Sequence, residues 1–208
     1  MNLLFRPARP EDATQAVPLI YSSGPAAFEY VFTDMVRGNA AAFLHSAFSQ
    51  KRGEFGYANH TVVEVDGQVV GIGATFSGRD SFRFGVAAAR QILAFYGLVR
   101  CWRVIRHGLQ VEKVVQLPTP GMHYLAHLGV APAWRGQGIG ARLIDYFLQQ
   151  GQEMGRSAAA LDVAVTNPRA QALYERLGFI VTQELPSSLK NEHTTVAAHR
   201  RMEKQIIP

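Results

Sequence analysis

"HLGVAPAWRGQGIGARLI", residues 127–144, decides how the chain reads. An apolar run with the character of a strand leads into Arg135, and glycines follow at 136, 138 and 140. Ile139, Leu143 and Phe147 then form one row at i, i+4 and i+8, with Ile144 and Leu148 in the next, which predicts a helix from Gly138 to about Glu153. The first turn of a helix offers amide N–H groups without intrahelical partners and a partial positive charge. Glycines remove the side chains that would hold an anion away. With Arg135 beside it, such a loop suits a phosphate or pyrophosphate.

Spacing separates the loops that bind phosphate this way. A P-loop ends in Gly-Lys-Ser/Thr, which is absent here. A dinucleotide fingerprint is closer, because Gly136, Gly138 and Ala141 satisfy G-x-G-x-x-G/A and Asp162 follows at about the right distance. Residues 132–135 nevertheless separate strand from glycines where a dinucleotide turn is immediate. Asp162 also falls inside its strand, and too little chain remains for the rest of such a sheet.

A second stretch, "NPRAQALYERLGF" at 167–179, has its own physical reading. Asn167 is an N-cap, Pro168 occupies the first helical position, and Gly178 lies just past the end. Ala170, Leu173 and Leu177 form the buried face. Tyr174, one position round, belongs at the border of core and cleft.

The two stretches together resemble the acetyl-CoA motifs of the GNAT N-acyltransferases. The pattern Arg/Gln-x-x-Gly-x-Gly/Ala is carried here by Arg135, Gly138 and Gly140, and the family's second marker by residues 167–179. The resemblance is sharp over roughly residues 124–180. It implies an α/β (α+β) fold with a mixed, mainly antiparallel sheet of six or seven strands flanked by helices. It also implies an acetyl-CoA-dependent N-acetyltransferase in which an amine attacks the thioester directly in a ternary complex. Cofactor-binding positions carried over are Leu128, Gly129, Val130, Arg135, Gly136, Gln137, Gly138, Ile139, Gly140, Ala141 and Asn167. Asn167 would meet the pantetheine arm, and amides around Leu128 to Val130 would stabilise the oxyanion. Tyr174 is the implied acid for the departing thiolate. Tyr124 holds the place where family members with a carboxylate or histidine base carry it, and a water-relayed deprotonation is an equal alternative. Strand alternation sets Tyr124, Ala126 and Leu128 on one face and His123, Leu125, His127 and Gly129 on the other, unless Gly129 marks a bulge.

The rest of the chain frames this core. Its 208 residues, 48% hydrophobic and 18% charged, fit one domain spanning 1–208, with 122–180 as the acetyl-CoA-binding core and 77–121 as a helical insertion. "TVVEVDGQVVGIGATF" predicts a hairpin turning at Asp66-Gly67, which suits a type I′ turn. Two helices are expected between Ala26 and Lys51 with a break near Gly38-Asn39. In the insertion Ile92, Phe95, Val99 and Trp102 fall at helical spacing, with Arg100, Arg103 and Arg106 on another side. That pattern reads as an amphipathic helix covering the core, with a pocket wall or a membrane-surface helix as lesser readings.

A net charge of +5 favours anionic partners, yet no nucleic-acid-binding signature accompanies it. No apolar run reaches the roughly 20 residues of a spanning helix, so no membrane insertion is expected. The lone Cys101 excludes an internal disulfide and, with no signal-peptide pattern at the start, is expected in the cytoplasm. The expected partner is a small-molecule or peptide amine, and a homodimer is compatible with the sequence. The scattered histidines present no metal site. Two other functions fit less well: an acyl-CoA-binding sensor without turnover, and a dinucleotide oxidoreductase.

Overall fold

The computed structural model describes residues 2–206; Met1 and residues 207–208 lie outside the described residues. The elements run β1 (Leu4–Pro7), α1 (Ala13–Ser23), α2 (Pro25–Phe32), α3 (Ala40–Phe48), β2 (His60–Val65), β3 (Gln68–Phe76), α4 (Ser81–Val111), β4 (Met122–Val130), α5 (Ile139–Glu153), β5 (Ala158–Ala164), α6 (Pro168–Arg176), β6 (Ile180–Leu185) and β7 (His199–Gln205). Among the described residues one seven-stranded sheet has the order β1-β2-β3-β4-β5-β7-β6, and only β4 and β5 pair in parallel. The mixed, mainly antiparallel sheet flanked by helices is the fold expected from the sequence.

Turn chemistry behaves as read. Asp66 (φ 48°) and Gly67 (φ 81°) both have positive φ, as the hairpin between β2 and β3 requires. Asn39 caps α3 by accepting from the Ala42 amide at 3.0 Å. The last strand, β7, begins its pairing at His199, and residues 194–198 before it lie outside the strand.

Apolar side chains fill both faces of the sheet. Phe43, Phe48 and Ile72 belong to the core beneath α1 to α3. Leu125, Leu143, Phe147 and Leu161 belong to the core beneath α5. Each such buried side chain contributes about 1.5–3 kcal/mol relative to exposure. Gly129 lets α1 lie directly on β4, since a Cβ there would stand 2.4 Å from the Leu19 carbonyl oxygen.

Two sequence expectations about faces are corrected. Opposite β4, Ile72 pairs with Gly129 and Ala74 with Ala126, so His127 and Leu128 together oppose Gly73 in a bulge. His127 takes φ 55°, and the alternation changes phase there. Tyr124, Ala126 and His127 therefore face the α1–α4 side, while Leu128 joins Leu125 on the α5 side. His123 packs beneath α5, its ring 2.9 Å from where a Cβ on Gly151 would stand.

The second correction concerns α4, which is kinked at Gly97 (φ 73°, ψ 172°). The kink breaks the 3.6-residue phase, so Ile92 is buried but Val99 and Trp102 are 82% and 61% exposed. Beyond the kink Val104 faces the core, and Arg100 and Arg103 reach inward to the buried Asp34. No helix among the described residues is long and apolar enough to cross a membrane.

Candidate active site

Strands β4 and β5 pair only from Met122–Tyr124 to Ala158–Ala160 and then part. From Leu125 onward no strand among the described residues lies beside the β5-facing edge of β4. A cavity of about 380 Å3 reaches from this opening to α2 and α4, lined by Tyr124, His127, Leu128, Asp162 and Tyr174 among others.

The glycine loop lies where β4 ends. The Arg135 guanidinium donates to the Val130 carbonyl at 3.0 Å, and Gln137 donates to the Ala133 carbonyl at 3.2 Å. Gly136 (φ 80°) and Gly138 (φ 81°) are both left-handed, and Gly138 is the N-cap of α5. The Arg142 amide donates to the Gly138 carbonyl at 3.1 Å. The amides of Ile139, Gly140 and Ala141 precede it and have no intrahelical acceptor. A Cβ on Gly138 would meet nothing within 4 Å, so the space above the helix end is open. Arg169, which the sequence reading missed, brings a guanidinium nitrogen to 4.0 Å from the same point on Gly136. Open glycines, a helix end and two arginines fit a pyrophosphate. Ile139 is buried below the loop, and Gly140 packs toward Leu173 of α6 and Val130 of β4.

The α6 helix starts at Asn167, whose side chain accepts from the Ala170 amide at 3.2 Å, and it carries Tyr174 to the opening. Tyr174 is 9% exposed, and burial pushes its hydroxyl up to about 12. It holds its proton through the neutral range.

Tyr124 is engaged elsewhere. Its hydroxyl donates to Asp162 Oδ2 at 2.7 Å, while the Arg201 guanidinium donates to both oxygens of Asp162, at 2.9 and 2.8 Å. Arg201 also lies 5.2 Å over the Tyr124 ring and bonds the Gln116 carbonyl. Burial, reinforced by the Asp162 charge, raises the Tyr124 hydroxyl well above its usual range. Tyr124 is thus a hydrogen-bond donor in a buried network.

The bulge brings together groups that the sequence left apart. His60 Nδ1 lies 3.0 Å from the Gly56 carbonyl, His60 Nε2 lies 3.0 Å from His127 Nδ1, and His127 Nε2 lies 3.5 Å from Glu54. A carbonyl only accepts, so His60 carries its proton on Nδ1. Burial, with the neighbouring His127 charge, lowers His60 to about 3, leaving Nε2 a bare acceptor at neutral pH. His127 Nδ1–H therefore donates to His60, and Nε2 of His127 faces Glu54. Glu112 also lines the cavity, its carboxyl raised by burial and by the charge of Glu54. Neither Glu54, His60 nor Glu112 carries a motif.

Cys101 has no nucleophile geometry: its thiol donates to the Leu98 carbonyl, and His107 bonds the Tyr30 carbonyl instead. No group of metal-holding side chains occurs among the described residues.

Comparison with known proteins gives the family and the fold. Residues 28–179 match the family model for "Acetyltransferase (GNAT) family". Over 85 residues the chain is 38% identical to N-alpha-acetyltransferase 30 of Schizosaccharomyces pombe, covering 41% of this chain and 50% of that protein. The chain spans a third to a half of the length of the curated relatives it matches. An N-acetyltransferase from Staphylococcus aureus Mu50 has the same fold, with TM-score 0.69 and 18% identity over 97% of this chain and 100% of that one. The yncA protein of Salmonella typhimurium, solved with its cofactor acetyl-CoA, superposes with TM-score 0.57 and 17% identity over 100% and 96% of the two chains.

Proposed function

Because the chain belongs to the GNAT acetyltransferase family, we propose that it transfers the acetyl group of acetyl-CoA to a primary amine by direct attack in a ternary complex. The observation that carries this reading is the parting of β4 and β5, with the glycine loop at one end, Tyr174 at the opening and a cavity beyond.

Arg135, Arg169 and the amides of residues 138–141 bind the pyrophosphate, and Gly136 and Gly138 keep that surface clear. The pantetheine arm runs past Asn167 toward the opening. There the free edge of β4 around Leu128 to Val130 presents backbone amides to the thioester oxygen, where negative charge develops as the amine attacks. Tyr174 supplies a proton to the departing sulfur. It is buried and protonated at neutral pH, which is the form an acid requires. Tyr124, tied to Asp162 and Arg201, holds the cavity wall.

The relatives named N-alpha-acetyltransferases favour a protein or peptide N-terminus as acceptor. The protein acts as a single domain built on residues 122–180, with 77–121 as an insertion forming the far wall of the cavity. The lone Cys101 suits a reducing cytoplasm.

Thiol release from acetyl-CoA with a panel of amines tests the activity. Tyr174→Phe is expected to lower kcat by about 10²-fold or more while leaving acetyl-CoA affinity unchanged. An unchanged rate removes Tyr174 from the chemistry, and binding without release in the wild type makes the chain a sensor.

A further inference from the structure

The acceptor cavity has the opposite electrostatic character to the chain. The net charge is +5, yet among the described residues neither lysine nor arginine lines the cavity, whereas Glu54, Glu112 and Asp162 all do. Asp162 is already neutralised by Arg201, which is itself buried and turned to Gln116 and Asp162. Glu54 and Glu112 remain without a cation among the described ion pairs, apart from the contact of Glu54 with His127. Most of the remaining wall is apolar, with Phe28, Val31, Phe32, Phe55, Ile92 and Val104, and its other polar side chains, among them Ser23, Gln116, His127 and His199, bring no lysine or arginine.

We infer that the acceptor is a cationic amine on an apolar body with no carboxylate beside the amine, bound as an ammonium by Glu54 and deprotonated by Nε2 of His127. This deepens the acetyltransferase reading and rests on it.

The geometry supplies each part. An anionic acceptor would set its charge against Glu54 and Glu112 with nothing to balance it, whereas an ammonium gains both. His127 Nε2 lies 3.5 Å from Glu54, so an ammonium held by the carboxylate stands within reach of the ring. The hydrogen bond from His127 Nδ1 to His60 fixes the tautomer, and Gly56 fixes His60 in turn. The two rings lie 5.2 Å apart at 17°, and Phe55 stacks on His127 at 5.1 Å. His60 is a positioning residue: it keeps the lone pair of His127 directed at the amine.

In the reaction, R–NH3+ gives one proton to His127 Nε2, and the neutral amine attacks the acetyl carbon. The C–N bond forms and the C–S bond breaks. The thiolate takes a proton from Tyr174, and the second proton leaving nitrogen restores the phenol. His127 returns its proton to water. The sum is R–NH3+ plus acetyl-CoA to amide, coenzyme A and H+.

Three probes test the acceptor by calorimetry on the full chain: 2-phenylethylamine, a short C-terminally amidated peptide with an apolar first residue, and phenylalanine. The amine or the peptide amide is expected to bind at least tenfold more tightly than phenylalanine, and Glu54→Gln to lose that advantage. Whichever of the two binds distinguishes a small amine from a protein N-terminus. Tighter or equal binding of phenylalanine overturns the proposal.

Turnover tests the base. The groups facing His127 are His60 from β2, Glu54 from the 49–59 segment and, beyond Glu54, Glu112 after α4. In the wild type kcat/KM should fall on the acid side, as it does for any reaction that needs a free base. His127→Ala, or His127→Gln if the alanine variant does not fold, should lower kcat about 10²- to 10⁴-fold and abolish that limb. His60→Phe should shift the limb, and His60→Gln, which retains an acceptor, should restore it. A limb unchanged in both His127 variants overturns the role. Failure of the wild type to release thiol with any amine defeats the acetyltransferase reading and the base with it, while the binding result still decides the acceptor.

Discussion

Removing the Asp162 carboxylate isolates the buried network behind the cavity. Asp162 and Arg201 side chains are 2% and 8% exposed, and the carboxylate accepts from both Arg201 nitrogens and from the Tyr124 hydroxyl. In Asp162→Ala the guanidinium stays buried with only the Gln116 carbonyl as partner, and the Tyr124 hydroxyl loses its acceptor. Breaking a buried pair by deleting one member costs about 3–5 kcal/mol. At about 2–4 °C per kcal/mol for a chain of this size, Tm falls by roughly 6–20 °C. Urea unfolding gives the free energy directly, with an unchanged slope confirming that the folded state is intact. The cost comes from an orphaned charge, so the double variant Asp162→Leu with Arg201→Met should recover much of it. A single-variant cost below about 1 kcal/mol, or a double variant equal to the sum of the singles, refutes the reasoning.

In Gly138→Trp a side chain enters the open space over the first turn of α5 at a left-handed backbone position. Acetyl-CoA affinity by calorimetry should fall at least tenfold with the fold retained, and normal affinity removes the loop from the binding site. Acid should destabilise the protein well above the carboxylate range. His60 folds with its pKa lowered to about 3 against about 6.5 unfolded, so the unfolded chain binds the extra proton between those values and stability is lost as pH falls through that window. By pH 5 the loss from His60 is roughly 2 kcal/mol. Urea midpoints equal at pH 7 and pH 5 contradict it. His107, His123 and His199 are shifted in the same direction by burial and add to the effect. Trp102→Gln should change stability by no more than about 1 kcal/mol, since the ring is exposed and only Arg106 lies over it, whereas Ile92→Ala should cost about 2–5 kcal/mol. Equal costs in thermal unfolding restore the single amphipathic face that the spacing of α4 first implied.

What the sequence determined by itself was local. The row Ile139, Leu143 and Phe147, the cap at Asn167 with Pro168, and the Asp66-Gly67 turn each depend on a few neighbouring residues, and each element formed where its chemistry places it. The two motifs stood in order along the chain, so family and donor were legible. Tertiary structure decided the faces and which side chains line the cavity. One positive φ at His127 inverted the alternation of β4, and one at Gly97 inverted the buried side of α4; neither sign is carried by side-chain periodicity. Glu54, His60, Glu112 and His127 converge only because β2 and β4 both pair with β3 and α4 folds back over the cavity. Arg201 reaches Asp162 because β7 lies beside β5. Such meetings are products of strand order and register, which are set by packing between distant segments.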